Sequence, residues 1–364
     1  MCFAAWGMSA GVSLTAVAFE GEEPADLRRI YGQLLIVGFL GRQPGDPGVE
    51  AAARDLRDGL AGGVIFFDRN IADWDQLTGL TAYFRDACAP HPPFLALDEE
   101  GGAVQRLRFA SGFRFEPSAR WVAANMTDDQ AGRIYRGMAS EIAGLGLNLN
   151  LAPVVDLDLQ PGNRIIGGLG RSFGGEPEQV ARFAGAFIDA HRAKGVLTTL
   201  KHWPGHGSSR GDPHYAMAEA TGAWQAKERL PFEELLKASK VDMVMSGHLH
   251  HQDWAAGGRL PASLSPQAVG VELRQKLGFD GVVVTDDIQM GSALAGRTLA
   301  EAIVLALAAG NDIVLIGNML EVREDAARHA VEAIEKAVAV GRLDLEALKA
   351  SYRRVMALKQ RIRR

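Results

Sequence analysis

The chain has 364 residues, of which 47% are hydrophobic and 23% are charged, and these values disfavour both a disordered protein and a membrane fold. Its formal net charge of −5 gives no electrostatic reason to expect a nucleic-acid partner, since duplex binding requires clustered Lys and Arg. The two cysteines, Cys2 and Cys88, have no CxxC spacing and exclude a cysteine zinc site. We therefore expect a globular protein with a small or uncharged ligand.

The amino-terminal segment is apolar and differs from the rest of the chain. Residues 1–18 read MCFAAWGMSAGVSLTAVA and end in the small-x-small pattern of a secretory signal, but no Lys or Arg precedes Arg28. We expect residues 1–25 to be an export signal, which would make the protein periplasmic or exported, or an arm on a cytoplasmic protein. Residues 26–364 are expected to form one domain without a membrane span, because no later run reaches ~18 uninterrupted apolar residues.

Eight short runs rich in Val, Ile and Leu recur along the chain. They lie at residues 34–39, 63–67, 94–97, 147–155, 196–200, 241–246, 281–285 and 312–316. Such runs are typical of parallel strands covered on both faces, and segments of helical period, such as 178–194, lie between them. Eight strand and helix pairs predict an α/β fold, a single-domain (β/α)8 TIM-type barrel. The alternative, a doubly wound sheet, is disfavoured because no Gly-rich phosphate-binding fingerprint follows the first run.

Ionisable residues follow several of these runs. They are Asp68, Asp98, Asp156, Lys201 with His202, His248, and Asp286 with Asp287. Enzymes built on this barrel place their chemistry at the carboxyl ends of the strands. An Asp at such a position also caps the following helix, but a Lys-His pair is a poor cap. The pattern therefore favours an active site at this end of the barrel.

The stretch KHWPGHGSSRGDPHY, residues 201–215, places three histidines on a glycine-rich segment. Histidine exchanges its proton near neutral pH, and a glycine-rich loop can carry it into a pocket. We expect Asp212 to hydrogen-bond the imidazole of His214, fix its tautomer and favour its protonated form. Asp286, at the end of a buried strand, can act as a nucleophile. Together these groups are what a retaining glycosidase requires.

Four motifs, in order along the chain, carry a family resemblance. KHWPGHG with DPH, LDEEGGAVQRL (97–107), GRSFG (170–174) and FDGVVVTDDIQM (279–290) closely resemble the single-domain bacterial β-N-acetylglucosaminidases (β-hexosaminidases) of glycoside hydrolase family 3. The resemblance implies that Asp286 is the catalytic nucleophile and that His214 with Asp212 forms the acid/base pair. It also implies that the innermost pocket holds the sugar through Asp98, Arg106, Arg171, Lys201 and His202. It implies neither a metal nor a cofactor.

The sequence departs from the family pattern at two places. The family loop usually reads Asp-Ser-His, whereas this chain has Asp212, Pro213 and His214. Proline lacks a backbone donor and restricts the preceding residue to extended conformations, so we expect loop closure to differ. Extra residues also precede Arg171 in NRIIGGLGRSFG, at the edge of the expected pocket.

The expected activity is that of an exo-acting retaining enzyme that removes terminal β-linked N-acetylglucosamine from cell-wall-derived glycans, as in peptidoglycan recycling. Its expected partner is a small carbohydrate, with no nucleic acid. Within the same family, a phosphorolytic or broader-specificity β-glycosidase stays open as an alternative. Other open alternatives are a metal-dependent barrel hydrolase, an aldolase with a Schiff base on Lys201, and a sugar-binding protein. The metal reading has little support, since HLHH at 248–251 is the only close histidine cluster and no HExxH occurs.

Several further residues receive an interpretation from their positions. His248 is expected to line the pocket, and Trp203 either stacks on a sugar or fills the mouth of the barrel. Glu99 and Glu100 are interpreted as groups that anchor a loop or support the pocket from behind. Asp156 is expected to serve the structure of the loop after the fourth strand.

Overall fold

Eight parallel strands form a closed barrel. The computed structural model describes residues 24–88, 91–215, 217–255 and 258–362. The barrel strands, β1 to β8, are Leu35–Gly38, Gly63–Phe66, Phe94–Leu97, Leu149–Asn150, Leu197–Trp203, Met243–Ser246, Val282–Thr285 and Val314–Ile316. Consecutive strands pair in parallel from β1 to β7, and β8 pairs with β1. A bridge between Val284 and Ile313 closes the ring between β7 and β8. The predicted (β/α)8 barrel is confirmed.

Helices cover the outside of the barrel. The α-helices, α1 to α11, are Pro24–Gly32, Pro47–Arg57, Trp74–Ala87, Ala119–Asn125, Asp128–Gly144, Pro177–Lys194, Leu230–Lys237, Gly291–Leu294, Leu299–Ala308, Ala326–Ala339 and Leu345–Lys359. A π-helix, Gln267–Lys276, stands between β6 and β7. Local sequence sets several helix ends: a capping box on Thr127 begins α5, and Gly195, with φ of 76°, ends α6. In the described part of the chain, no helix has both the length and the hydropathy needed to cross a membrane.

Two small strand pairs lie outside the barrel ring. Glu99–Gly101 and Val104–Gln105 form an antiparallel hairpin directly after β3, and Ala218–Glu219 pairs in parallel with Leu249–His250. The hairpin places the residues that follow Leu97 over the carboxyl end of the barrel. The second pair joins the loop after β5 to the loop after β6.

Two strands differ in length from their predicted runs. The run 147–155 contributes only Leu149–Asn150 to the ladder, because the chain then reaches Pro153, which has no N–H to donate. In contrast, β5 continues to Trp203, so Lys201 and His202 lie on the strand itself rather than in the loop after it.

The last helix contacts the amino ends of the first three barrel strands through Lys359. Lys359 of α11 is buried, and its Nζ donates to Gln33 Oε1 and to Gly62 O, both at 2.6 Å. The same amine lies 4.9 Å from the centre of the Phe94 ring. Burial lowers the pKa of this amine to about 8.

The predicted apolar segment lies outside the described residues. The structure describes the chain from residue 24 onward, where α1 begins. The division of the chain at residue 25, and the assignment of residues 1–18 to an export signal, therefore stay predictions.

Candidate active site

A cleft of about 390 Å³ opens at the carboxyl ends of the barrel strands. Every residue for which a catalytic or sugar-holding role was predicted lines it: Asp98, Arg106, Arg171, Lys201, His202, Asp212, His214 and Asp286. Further residues complete the lining, namely Glu100, Val104, Ile165, Leu169, His206, Pro213, Tyr215 and Met290. The structure thus brings the expected nucleophile and the expected proton carrier to one cavity. The roles predicted for these residues stay predictions.

A cluster of paired charges forms the inner wall of the cleft. Lys201 Nζ lies 2.8 Å from Asp98 Oδ1 and 2.7 Å from Glu100 Oε1. Arg171 donates from Nε and Nη2 to the two oxygens of Glu100, both at 2.8 Å. Burial alone would raise the pKa of Glu100, but the charges of Arg171 and Lys201 outweigh it and lower that pKa to about 2. The cluster is therefore ionised at neutral pH.

The hairpin after β3 holds Arg106 at the edge of this cluster. Arg106 Nη2 donates to Asp98 Oδ2 at 3.3 Å. Glu99, on the hairpin, accepts hydrogen bonds from the backbone N–H groups of Arg106 (2.8 Å) and Leu107 (3.0 Å). Glu99 is buried, and burial raises its pKa to about 8. Glu99 anchors the loop as expected, whereas Glu100 lines the cleft and pairs with two of its cations.

Asp156 orients His202. Its Oδ2 accepts from His202 Nδ1 at 2.7 Å, and its Oδ1 accepts from the backbone N–H groups of His202 (3.0 Å) and His206 (2.8 Å). With Nδ1 engaged, His202 Nε2 points to Asp286 Oδ2 at 3.9 Å and to Arg171 Nη2 at 3.5 Å. The interpretation of Asp156 as a residue of the loop alone was therefore incomplete, because it also fixes the tautomer of a cleft histidine.

Asp286 follows β7 and is held as a carboxylate. Its backbone N–H donates to Ser246 O at 3.0 Å, which fixes the backbone beside β6. Burial would raise the pKa of Asp286, but the neighbouring imidazoles of His202 and His248 outweigh burial, and the pKa is lowered. An ionised carboxylate at neutral pH is the state that a nucleophile requires.

Asp287 turns away from the cleft, as the period of a strand requires. Its Oδ1 accepts from the backbone N–H groups of Gly317 (2.8 Å) and Gln289 (3.1 Å). Burial raises the pKa of Asp287 to about 6. The two neighbouring aspartates therefore have different environments, and only Asp286 lines the cleft.

The loop after β5 presents His214 to the cleft. Asp212 Oδ1 accepts from His214 Nδ1 at 2.7 Å and from the backbone N–H of His214 at 3.0 Å. Nδ1 is thereby engaged, and Nε2 is the ring nitrogen that remains for a ligand. The side chain of His214 is half exposed, at 49%, whereas that of Asp286 is 21% exposed. His214 therefore lies at the mouth of the cleft, and the carboxylate of Asp286 lies deeper.

Buried polar groups hold the base of this loop. Glu228 Oε2 accepts from the backbone N–H groups of Gly207 (3.0 Å) and Ser208 (3.2 Å). Asn163 Nδ2 donates to the carbonyls of His206 (2.8 Å) and Gly207 (3.2 Å). Burial raises the pKa of Glu228 to about 7. Neither anchor could be predicted from the sequence, since both depend on contacts between distant parts of the chain.

The expectation that His248 lines the pocket was wrong, and the structure decides between the two roles predicted for Trp203. His248 is fully buried behind Asp286, where its ring contacts Ser263 Oγ (2.6 Å) and Asp287 O (2.9 Å), and it does not line the cleft. Trp203 is also buried, packs edge-on against Phe232 and donates from Nε1 to Ala268 O. Of its two predicted roles, filling the barrel is the observed one, because a sugar has no access to the ring.

Among residues 24–88, 91–215, 217–255 and 258–362, no group of three or more His, Cys, Asp or Glu side chains is arranged to hold a metal ion. The expectation that the site works without a metal stays a prediction.

Comparisons with known proteins agree with this geometry. The sequence pattern of the "Glycosyl hydrolase family 3 N terminal domain" matches residues 27–358. A "Beta-hexosaminidase" of Tolumonas auensis is 38% identical over 268 residues, which are 72% of this chain and 77% of that protein. A "Beta-hexosaminidase" of Stenotrophomonas maltophilia (strain R551-3) is 36% identical over 309 residues, 82% of this chain and 87% of that protein.

Solved structures show the same likeness. A glycoside hydrolase family 3 β-N-acetylglucosaminidase from Paenibacillus sp. FPU-7 superposes with a TM-score of 0.84 at 34% identity, over 92% of this chain. This chain spans only 62% of the length of that protein. A β-N-acetylhexosaminidase from Beutenbergia cavernae superposes with a TM-score of 0.82 at 30% identity, over 92% of this chain and 98% of its own.

Proposed function

This chain belongs to glycoside hydrolase family 3, and we propose that it is a retaining exo-β-N-acetylglucosaminidase that releases terminal N-acetylglucosamine from cell-wall-derived glycans. The names of its relatives support the reaction class. The observation that carries the proposal is that Asp286 and the pair of His214 with Asp212 line one cleft. A single sugar linkage placed there can be reached by a nucleophile and a proton donor together.

In the first step, a carboxylate oxygen of Asp286 attacks the anomeric carbon. The bond from that carbon to the leaving oxygen breaks, and the Nε2 proton of protonated His214 passes to that oxygen. The products are a glycosyl ester on Asp286, a neutral His214 and the free alcohol. The lowered pKa of Asp286 supports this role, because only the carboxylate can attack.

In the second step, water attacks the anomeric carbon of the ester. Nε2 of His214, now neutral, takes a proton from this water, and the carboxylate of Asp286 leaves. The anomeric carbon is inverted twice, so the β configuration is kept. His214 ends protonated and Asp286 ionised, as both began.

A histidine has an electrostatic advantage over a second carboxylate in this role. After it gives up its proton, an imidazole is neutral, whereas a carboxylic acid would become an anion beside the ester. An incoming anion therefore meets less repulsion, and phosphate can compete with water as the acceptor. Phosphorolysis is therefore tested together with hydrolysis.

The charged wall of the cleft suits the polar face of a sugar. We assign the hydroxyl groups to Asp98 and Arg106, and the ring and acetamide to Arg171, Lys201 and His202. Carboxylate oxygens accept from hydroxyls, while the guanidinium and ammonium groups donate to hydroxyl and acetamide oxygens. Because these groups already pair with one another, they are ordered before a sugar arrives.

The test is hydrolysis of an aryl N-acetyl-β-glucosaminide and of the matching β-glucoside, each with and without phosphate. We expect the N-acetyl substrate to be favoured and the β anomer to be the first product seen by NMR. A glucoside preference, or an α product, would overturn the proposal. Formation of a sugar 1-phosphate would favour the phosphorolytic alternative.

Two variants assign the roles. Asp286→Ala is expected to abolish turnover of every substrate. His214→Ala should slow the release of poor leaving groups by about 10²–10⁴-fold and spare the first-turnover release of good ones. Asp280→Ala is the matched control, since Asp280 precedes β7 at the other end of the barrel and its side chain is 94% exposed. Unchanged turnover in Asp286→Ala or His214→Ala would remove that residue from the mechanism.

A further inference from the structure

The segment that carries His214 rests on the first turn of α8 through backbone atoms. Gly291 N donates to His214 O at 2.9 Å, and Ser292 N donates to Pro213 O at 3.0 Å. The first N–H groups of a helix have no partner within it and are free to bind such carbonyls. Because α8 begins shortly after Asp286, this contact links the loop of the proposed acid/base to the strand end of the proposed nucleophile.

We propose that Gly291 is a positioning residue, whose missing side chain lets the His214 segment dock beside Asp286. A Cβ at this position would lie 2.7 Å from Tyr215 O, 2.8 Å from Tyr215 C and 3.0 Å from His214 O. All three are backbone atoms, which cannot swing aside as the end of a flexible side chain can. The docked segment would therefore have to move.

The conflict is confined to the docked segment. Gly291 does not have a left-handed φ, so an alanine can adopt its backbone conformation without strain. The α8 turn can then form as before, and Asp286, which is fixed by Ser246 O and by its own strand, keeps its place. A substitution at Gly291 thus separates the position of His214 from that of Asp286.

The rest of the loop is held by hydrogen bonds, so a displacement forced at Gly291 moves the part of the loop that carries His214. Its base is held by Glu228 and Asn163, and further along Arg210 and Glu219 exchange two backbone hydrogen bonds, each at 2.8 Å. The stretch after Arg210 begins with Gly211, whose φ of 94° is open to few other residues. Movement forced at Gly291 is therefore taken up between Gly211 and Tyr215, the stretch that includes the Asp212 and His214 pair.

Pro213 makes this docking more dependent on α8. Proline has no N–H, so at this position the segment can only accept hydrogen bonds, and Ser292 supplies the donor. The family loop with serine at this position would have one more backbone donor. Pro213 and Gly291 thus take part in the same contact: Pro213 accepts the hydrogen bond from Ser292, and the missing side chain of Gly291 allows the segment to come close.

The test is Gly291→Ala, measured with N-acetyl-β-glucosaminides of good and poor leaving groups. This inference rests on the proposed function, so the wild-type protein must first hydrolyse the aryl substrate. We expect turnover of the poor leaving group to fall by about 100-fold, the loss that a displacement of about 1 Å can cause. Release of a good leaving group in the first turnover should change by less than about threefold, because that step needs little acid.

Two further readouts separate positioning from a structural effect. Azide, a nucleophile that needs no base, should restore steady-state turnover of the good-leaving-group substrate in Gly291→Ala and yield a β-glycosyl azide. In the His214→Ala background, Gly291→Ala should cause no additional loss, because the group that it positions is already absent. Gly79→Ala is the control, since Gly79 lies in α3 and a Cβ there meets no atom within 4 Å.

Three outcomes would overturn the inference. They are wild-type turnover in Gly291→Ala, equal losses of first-turnover release for good and poor leaving groups, and a full further loss in the double variant. Failure of Gly291→Ala to fold would also overturn it, because the three closest conflicts all lie in the loop segment that carries His214. Absence of hydrolysis by the wild-type protein would instead reject the proposed function itself.

Discussion

Glu100→Gln removes one charge from the centre of the ion cluster while keeping the size of the side chain. Glu100 is the common partner of Arg171, through two hydrogen bonds, and of Lys201, and its side chain is only 5% exposed. A neutral amide would leave the guanidinium group of Arg171 without a counter-charge. Its NH2 group would also point N–H donors toward two cations, Arg171 and Lys201. The substitution therefore tests whether this buried pairing stabilises the protein and orders the cleft.

The magnitude follows from the pKa of Glu100, which falls from an ordinary 4.5 to about 2 in the folded protein. A tenfold change in an acid constant is worth about 1.4 kcal/mol, so the ionised group contributes about 3 kcal/mol to the free energy of unfolding. Because the folded pKa is the lower one, this contribution is complete above pH of about 5 and is lost as the pH falls toward 2. About half of it should remain at pH 3.

The assay is urea unfolding of the wild type, Glu100→Gln and Glu176→Gln between pH 3 and pH 7, Glu176 being an exposed control. We expect Glu100→Gln to lose about 3 kcal/mol at pH 7, a loss that shrinks toward pH 3, and to raise KM for the aryl glycoside. A loss below about 1 kcal/mol at pH 7, or one that does not change with pH, would refute the reasoning.

Two further predictions concern the residues that hold the loops of the cleft. Because burial raises the pKa of Glu228 to about 7, the folded protein retains this proton longer than the unfolded chain, and stability is lost as the pH rises from about 4.5 to 7. Glu228→Gln has no carboxyl group to titrate here, so its free energy of unfolding does not fall for this reason. The amount by which the variant is less stable than the wild type in urea unfolding should therefore narrow by about 2–3 kcal/mol between pH 5 and pH 8; a constant difference would contradict this. Asp156→Asn removes the anion that fixes the tautomer of His202, and we expect kcat to fall at least about tenfold with a smaller change in KM. An unchanged kcat, measured on protein that unfolds at the wild-type temperature, would show that His202 needs no orienting anion.

The barrel could be predicted because its strands are buried on both faces and therefore appear as continuous apolar runs. The ends of the strands were less certain, since they depend on backbone pairing. Lys201 and His202 look like loop residues in the sequence, yet they continue β5 because their neighbours supply partners: Lys201 O accepts from Val155 N. Pro153 shortens the fourth strand for the opposite reason, as it has no donor.

The members of the site could be named from motifs, but their pairings could not. Glu100 meets Arg171 across 71 positions of sequence, and Asp156 meets His202 across 46. No local pattern reports such contacts, so the sequence identified neither pairing. His248 shows the converse case, because a histidine after a strand can turn behind the cleft and support Asp286 from there.

The buried amine of Lys359 makes the barrel floor a chemical reporter of opening. Contacts with Gln33 and Gly62 shield this amine, whose pKa is about 8 only while it is buried, so an acylating reagent cannot reach it in the closed barrel. Labelling at this position would then proceed only as fast as α11 detaches from the strands' starting ends. The labelling rate would measure how often the amino end of the barrel opens while the carboxyl end, with its cleft, stays folded.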